Sequence, residues 1–250
     1  MSLRALALLP LLAACGEEKD TTDTSVNTPD PVCTEQTEVG CVDDLILDLS
    51  LHDDKVSDDL VATSSVDGVF VTTVDATAGG MNAASSNPWV YVKFTQEGAV
   101  RVDIDDETAL ESMDWDLAAR RYIIRVNGGS SGPSCVAAAA LPGETFGAVT
   151  TPVSDSLPWQ SDAFYNSECA MLEDGSGLPG SFPTALGAWW GYVSCVETTL
   201  TPFYLRLADG KTIELLIEAY YEEGQGGCNS SGNPGSNGGM FTWRWQWVEA

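Results

Sequence analysis

The last apolar run of the chain, GMFTWRWQWV at positions 239–248, alternates large apolar and polar residues. Successive side chains of a strand point to opposite faces, so Phe241, Trp243, Trp245 and Trp247 share one side and Thr242, Arg244 and Gln246 the other. The aromatic side reads as the core face of a sheet. Upstream, PFYLRLADGKTIELLIEAYY reads as two strands joined at Asp209-Gly210, the pair that a type I′ turn prefers because both central positions need positive φ. WVYVKFTQEGAVRVDI is a second hairpin, turning near Glu97-Gly98, and GVFVTTVDAT a further strand. GETFGAVTT and AWWGYVSCVETTL are shorter candidates. Helix is limited to DETALESM at 106–113, with Asp106 as its cap. No repeat of fixed period is present, so solenoids and propellers are excluded. The expectation is an all-β domain of antiparallel sheets with few short helices. Within it, EEGQGGCNSSGNPGSNGG between Tyr221 and Met240 is a glycine and asparagine loop with no packing of its own.

The other end of the chain is a targeting segment. In MSLRALALLPLLAAC, Arg4 supplies a positive start and Ala5 to Leu12 an apolar stretch too short to span a bilayer. The ending Leu12-Ala13-Ala14-Cys15 resembles the lipobox of bacterial lipoproteins. That resemblance implies a signal peptide over 1–14, lipidation of Cys15, and two or three acyl chains that hold the protein stably at a membrane. Gly16 in place of an aspartate after the lipidated cysteine points to the outer membrane under the sorting pattern of such lipoproteins. Residues 16–32 are poor in apolar side chains and rich in Thr, Asp and Pro. With Cys15 they form a flexible tether over 15–32, reaching roughly 20–25 Å, ahead of a β domain over 33–250.

Apart from Cys15, the cysteines are Cys33, Cys41, Cys135, Cys169, Cys195 and Cys228. Six in an exported chain read as three disulfides with fifteen possible pairings. Short spacing favours Cys33 with Cys41, and the remainder are read as Cys135 with Cys169 and Cys195 with Cys228. Zinc is the rival, but no CxxC occurs and His52 is the single histidine, so no metal site is expected. Against 37 acidic residues stand 11 basic ones, a formal charge of −26, which excludes nucleic acid as a partner. No G-x-S-x-G elbow, P-loop or dinucleotide fingerprint is present, and a binding protein rather than an enzyme is expected.

Three of the scarce cations fall in one segment, WDLAARRYIIRVNGGSSG at 115–132. In a continuous strand from Trp115 to Val126, Arg121 and Arg125 point one way and Asp116 and Arg120 the other, a split that argues against a cationic docking face. The arginines are expected to pair with carboxylates while their stems cover apolar surface. The acidic run VDIDDETALESMDWD lacks the spacing of a calcium loop and reads as solvated surface charge.

The segment DWDLAARRYIIRVNGGSSG resembles the signature of the HmuY-like lipoproteins. Trp190-Gly191-Tyr192 resembles their aromatic block, and TTLTPFYLRLADGKTIELLIEAYY followed by GGMFTWRWQW resembles their C-terminal end. The resemblance covers roughly residues 60 to 250. It implies an all-β lipoprotein that captures haem between two axial side chains, with an outer-membrane receptor as a partner. One family donor sits in a His-x-Leu-x-Pro context that here reads Thr198-Thr199-Leu200-Thr201-Pro202, so Thr198 replaces the histidine. The other belongs before Trp189, where Met171 is the soft donor available. Trp190, Tyr192 and Arg121 complete the candidate site for haem or another small ligand, Arg121 through a ligand carboxylate. A ligand-free interaction module on the same fold, and a carbohydrate binder using exposed indoles, are the alternatives.

Overall fold

A computed structural model describes residues 33–53, 60–83, 85–148, 153–176 and 181–248. The signal peptide, Cys15 and the tether lie outside the described residues. Among the described residues, every pairing between the strands named below is antiparallel. The strands in chain order are β1 (Val61–Val66), β2 (Val69–Asp75), β3 (Val90–Thr95), β4 (Gly98–Arg101), β5 (Leu117–Arg120), β6 (Ile123–Val126), β7 (Ala137–Ala140), β8 (Trp190–Tyr192), β9 (Val196–Thr198), β10 (Phe203–Arg206), β11 (Thr212–Tyr221) and β12 (Gly238–Val248). Among the described residues, three short α-helices accompany them: α1 (Val42–Asp48), α2 (Asp106–Ala109) and α3 (Gly226–Ser231). The six-stranded sheet runs β1-β2-β12-β11-β10-β7, the four-stranded sheet β4-β3-β5-β6, and β8-β9 is a separate hairpin.

The two main sheets enclose one core. Phe241, Trp243 and Trp245 of β12 are buried there beside Phe94 of β3, Leu117 of β5 and Ile124 of β6, as the alternation predicts, while Trp247 packs against its edge. Trp245 donates to the hydroxyl of Thr72 at 2.9 Å, so its one polar atom is satisfied inside the core. The opposite face of the four-stranded sheet builds a second cluster, in which Trp89, Tyr91, Trp115 and Ala118 meet Leu45 and Leu49 of the α1 region and Phe164 and Phe182. Covered on both faces, β5 is buried at all four positions.

Several local expectations are corrected. β1 carries no sequence signal, because its Ala-Thr-Ser-Ser centre has no large apolar side chain. β7 was likewise unmarked, and the described part of GETFGAVTT is turn rather than strand. At Asp209-Gly210 only Gly210 has positive φ, 81°, and Leu207 donates to the carbonyl of Lys211 at 2.8 Å. The hairpin therefore closes through a three-residue loop with glycine in the left-handed position. The predicted helix shortens to Asp106–Ala109 and its cap is Asp105, whose side chain accepts from the Thr108 N–H at 2.8 Å. The glycine and asparagine loop contains α3, in which Cys228 is buried.

The disulfides are Cys33–Cys135, Cys41–Cys169 and Cys195–Cys228. The third pairing is as expected; the first two are not. Cys33 and Cys41 do not clip to each other. Each instead ties the start of the domain to a distant loop, since this segment enters neither main sheet and has few backbone bonds of its own.

Candidate functional site

The arginine-rich segment is a hairpin, not one strand. Arg120 pairs with Ile123 and Ala118 with Arg125, leaving Arg121 and Tyr122 as a two-residue turn in which Arg121 has φ 51°. The reversal places Arg120 and Arg125 on the same face, correcting the split read from continuous alternation. Both guanidiniums lie over the buried Trp89 ring, at 4.6 and 4.4 Å from its centroid. Arg120 donates to the carbonyls of Leu49 and Ser50, holding the end of α1 against the sheet. Burial pushes its pKa down to about 10. Their hydrogen-bond partners are carbonyls and the Tyr91 hydroxyl rather than the expected carboxylates. Only Arg121 of the three stands exposed, its guanidinium 5.5 Å from the Tyr122 ring centroid.

The acidic run is not uniformly solvated either. Asp106 is fully buried and accepts the backbone N–H groups of Trp89 and His52 at 2.9 and 3.1 Å. Asp116 accepts from Phe94 at 2.8 Å, and desolvation raises its pKa to about 7. Asp162, which no motif marked, accepts from Ala185 and Val126 at 2.8 and 2.9 Å, and desolvation raises it likewise to about 7. These carboxylates join segments by satisfying buried N–H groups. Asn127 does similar work in the NGGSSG turn, donating to Ser112 and Trp115 carbonyls and accepting from Ser134. The segment carrying the resemblance is thus mostly a device for holding two layers together.

At the β8-β9 hairpin, Trp190 pairs with Thr198 and Tyr192 with Val196. Thr198 is buried, and its N–H, carbonyl and hydroxyl are all bonded to the side chain of Asn229, with the hydroxyl accepting from Nδ2 at 3.0 Å. Asn229 sits on α3, which the Cys195–Cys228 disulfide fastens to β9. The atoms of Cys195, Glu197 and Cys228 lie within 4.8 Å of one another, but both sulfurs are consumed in that disulfide. Met171 is elsewhere: it bridges to Tyr165 and packs on the second cluster. His52 belongs to the same layer, its carbonyl accepting from Asp106. The structure therefore does not assemble Thr198 and Met171 into an axial pair, and the inherited donor positions do not fit haem iron.

What the structure does bring together is Trp190 and the turn carrying Arg121. Trp190 and Tyr122 lie 4.9 Å apart, tilted by 52°. They line a small, open cleft with Asp174, Ser181, Phe182 and Thr184, and Tyr122 shares a hydrogen bond with Ser181 at 2.9 Å. The preceding residue, Trp189, is buried in the core. Tyr122 and Asn229 were missed from the sequence. Tyr122 sits in a turn that no glycine, asparagine or proline marks, and Asn229 lies in a segment whose composition reads as loop.

A family model described as HmuY protein matches residues 85–231, more than half of the chain. The chain belongs to the HmuY family. The match spans the four-stranded sheet, the cleft, the β8-β9 hairpin and α3. Among solved structures, an HmuY-like haem-binding protein from Bacteroides vulgatus is similar at 16% identity and TM-score 0.43, covering 73% of this chain and 94% of that one. The apo form of the Tannerella forsythia HmuY analogue shares 14% identity at TM-score 0.42, covering 79% and 100%. A Bacteroides fragilis structure assigned as a lipoprotein shares 16% at TM-score 0.40, covering 75% and 95%. No curated protein matches. Among the described residues, no helix of this HmuY-family chain is long and apolar enough to cross a membrane.

Proposed function

We propose that this HmuY-family protein is an exported lipoprotein, held at the outer membrane through Cys15, that binds haem or another planar tetrapyrrole without bis-histidine ligation. It acts by binding rather than catalysis. The observation that carries the reading is the Tyr122–Trp190 ring pair at the mouth of the cleft, with Arg121 beside it. The rings offer a stacking surface, and a guanidinium binds carboxylates such as a tetrapyrrole bears. The cleft is a shallow surface feature rather than an enclosed pocket, so on this reading a tetrapyrrole rests against its rim. An outer-membrane receptor is the partner that the family resemblance suggests.

Two measurements test this. Cys15→Ala should move the protein from the detergent phase to the aqueous phase on partition, and unchanged partition would remove the anchor from the account. Haemin titrated into the Cys15→Ala chain should give a Soret shift without a bis-histidine signature, and Trp190→Ala should weaken binding about tenfold or more, a loss of about 1.4 kcal/mol. No spectral change would instead support the ligand-free interaction module, a reading favoured by the hold of Asn229 on Thr198.

A further inference from the structure

A sheet edge exposes a row of unpaired N–H and C=O groups, and this fold covers the edges of its two main sheets at several points. Ala138 of β7 exchanges backbone bonds with Gln160, both at 2.8 Å, the Thr63 hydroxyl of β1 reaches the Ala99 carbonyl of β4 at 2.8 Å, and the Asp162 carboxylate accepts the Val126 N–H of β6. The β8-β9 hairpin is covered on one side only. Thr199 donates to the Trp189 carbonyl at 2.9 Å, so by alternation Gly191 and Glu197 exchange backbone bonds, while Trp190, Tyr192, Val196 and Thr198 turn theirs away from the facing strand. On β9, side chains take them: Asn229 holds the N–H and the carbonyl of Thr198, and Val196 donates to the Tyr221 hydroxyl and accepts from Gln225. On β8, among the described residues, nothing takes the N–H and C=O groups of Trp190 and Tyr192. This edge is accessible, since Tyr192 and Val193 are 52% and 78% exposed and a Cβ on Gly191 would meet nothing within 4 Å.

We propose that the open edge of β8 docks an extended, cationic segment of another protein as an added strand. The recognising chemistry is the backbone itself: donors and acceptors at two alternate residues match an extended chain, and Tyr192 and Val193 set apolar surface beside them. Charge selects the partner. Glu197 lies across from Gly191, Asp174 shares the cleft with Trp190, and the whole chain carries a formal −26, against which Arg121 stands on the neighbouring turn. A second copy brings the same charge and is repelled, so a lysine- or arginine-rich strand is the occupant. The β9 side, fastened to α3 through Cys195–Cys228, holds the edge extended before the partner arrives. This docking does not depend on tetrapyrrole binding.

The test adds a short fluorescent peptide of alternating lysine and valine to the Cys15→Ala chain and reads its anisotropy together with hydrogen exchange at the Trp190 and Tyr192 amides. The peptide should bind saturably and slow exchange at both amides about tenfold or more, whereas a glutamate–valine peptide should not bind. Tyr192→Pro removes an outward N–H that β9 does not use, a change that edge strands tolerate, and should weaken the lysine–valine peptide about tenfold. Of two peptides N-methylated on alternate residues, valine or lysine, one should weaken equally against the unaltered chain. No binding of the lysine–valine peptide, or full binding of both N-methylated forms without protection of either amide, would overturn the proposal, the latter as charge attraction alone. Amides already protected in the monomer without peptide would show the edge covered, and protection that rises with protein concentration would give it to a second copy; either result overturns the proposal too.

Discussion

Removing the two long-range disulfides is expected to unfold the domain. Cys33–Cys135 and Cys41–Cys169 join residues 102 and 128 positions apart. In the chain-entropy account, a loop of such length lowers the freedom of the unfolded state by about 4–5 kcal/mol for each link. That is large against a total stability of about 5–15 kcal/mol. The native side offers little in compensation: the segment carrying Cys33 and Cys41 enters no sheet, and α1 is a single seven-residue helix held by Leu45, Leu49 and the bonds from Arg120. A Cys41→Ala, Cys169→Ala variant should lose on the order of 2–5 kcal/mol in urea denaturation. An unchanged midpoint would show that the second layer holds without its link.

Gly129→Ala is expected to do comparable damage from a single methyl group. Gly129 has φ 66°, and a Cβ there would lie 2.1 Å from the carbonyl oxygen of Asp162. That oxygen accepts the N–H of Ser130, and the Asp162 side chain holds Val126 and Ala185. The backbone cannot yield without breaking a buried junction. A loss on the order of 3–5 kcal/mol follows, among the larger effects of single substitutions. Gly191→Ala is the control, since a Cβ there meets nothing within 4 Å. Equal stability of the two variants would refute the argument.

The legible parts of the fold are those where pattern and burial coincide. The alternation of Phe241 to Trp247 locates a core strand because each apolar residue has its own buried place. The Asp209-Gly210 hairpin is local enough to read from spacing, whereas the disulfides are not: Cys195 and Cys228 pair, but Cys135 and Cys169, almost equally spaced, do not. Failures occur where tertiary contact decides between neighbours. Nothing in Arg121-Tyr122 marks a turn, yet Arg121 takes positive φ as its N–H reaches the Ala76 carbonyl, and that reversal inverts which arginines share a face. Asp105 and Asp106 are adjacent and chemically alike; only the packing of Trp89 sends one into the core and leaves the other as the cap. The engagement of Thr198 by Asn229 is not legible, because that contact spans 31 residues and depends on α3 forming in a glycine-rich stretch.

The path of β11 gives the molecule poles. At one end, beside the β10-β11 loop, Cys33 donates its N–H to the Ala208 carbonyl, so the chain leading from Cys15 arrives there. At the other, Tyr221 closes over the β8-β9 hairpin through its bond to Val196. Ten residues of extended strand separate the two, a length of about 30 Å. On the anchoring proposed above, tethering at the first pole would leave Trp190 and Tyr192 at the second. The same strand that closes the core then also sets the separation between the entry point of the chain and the hairpin.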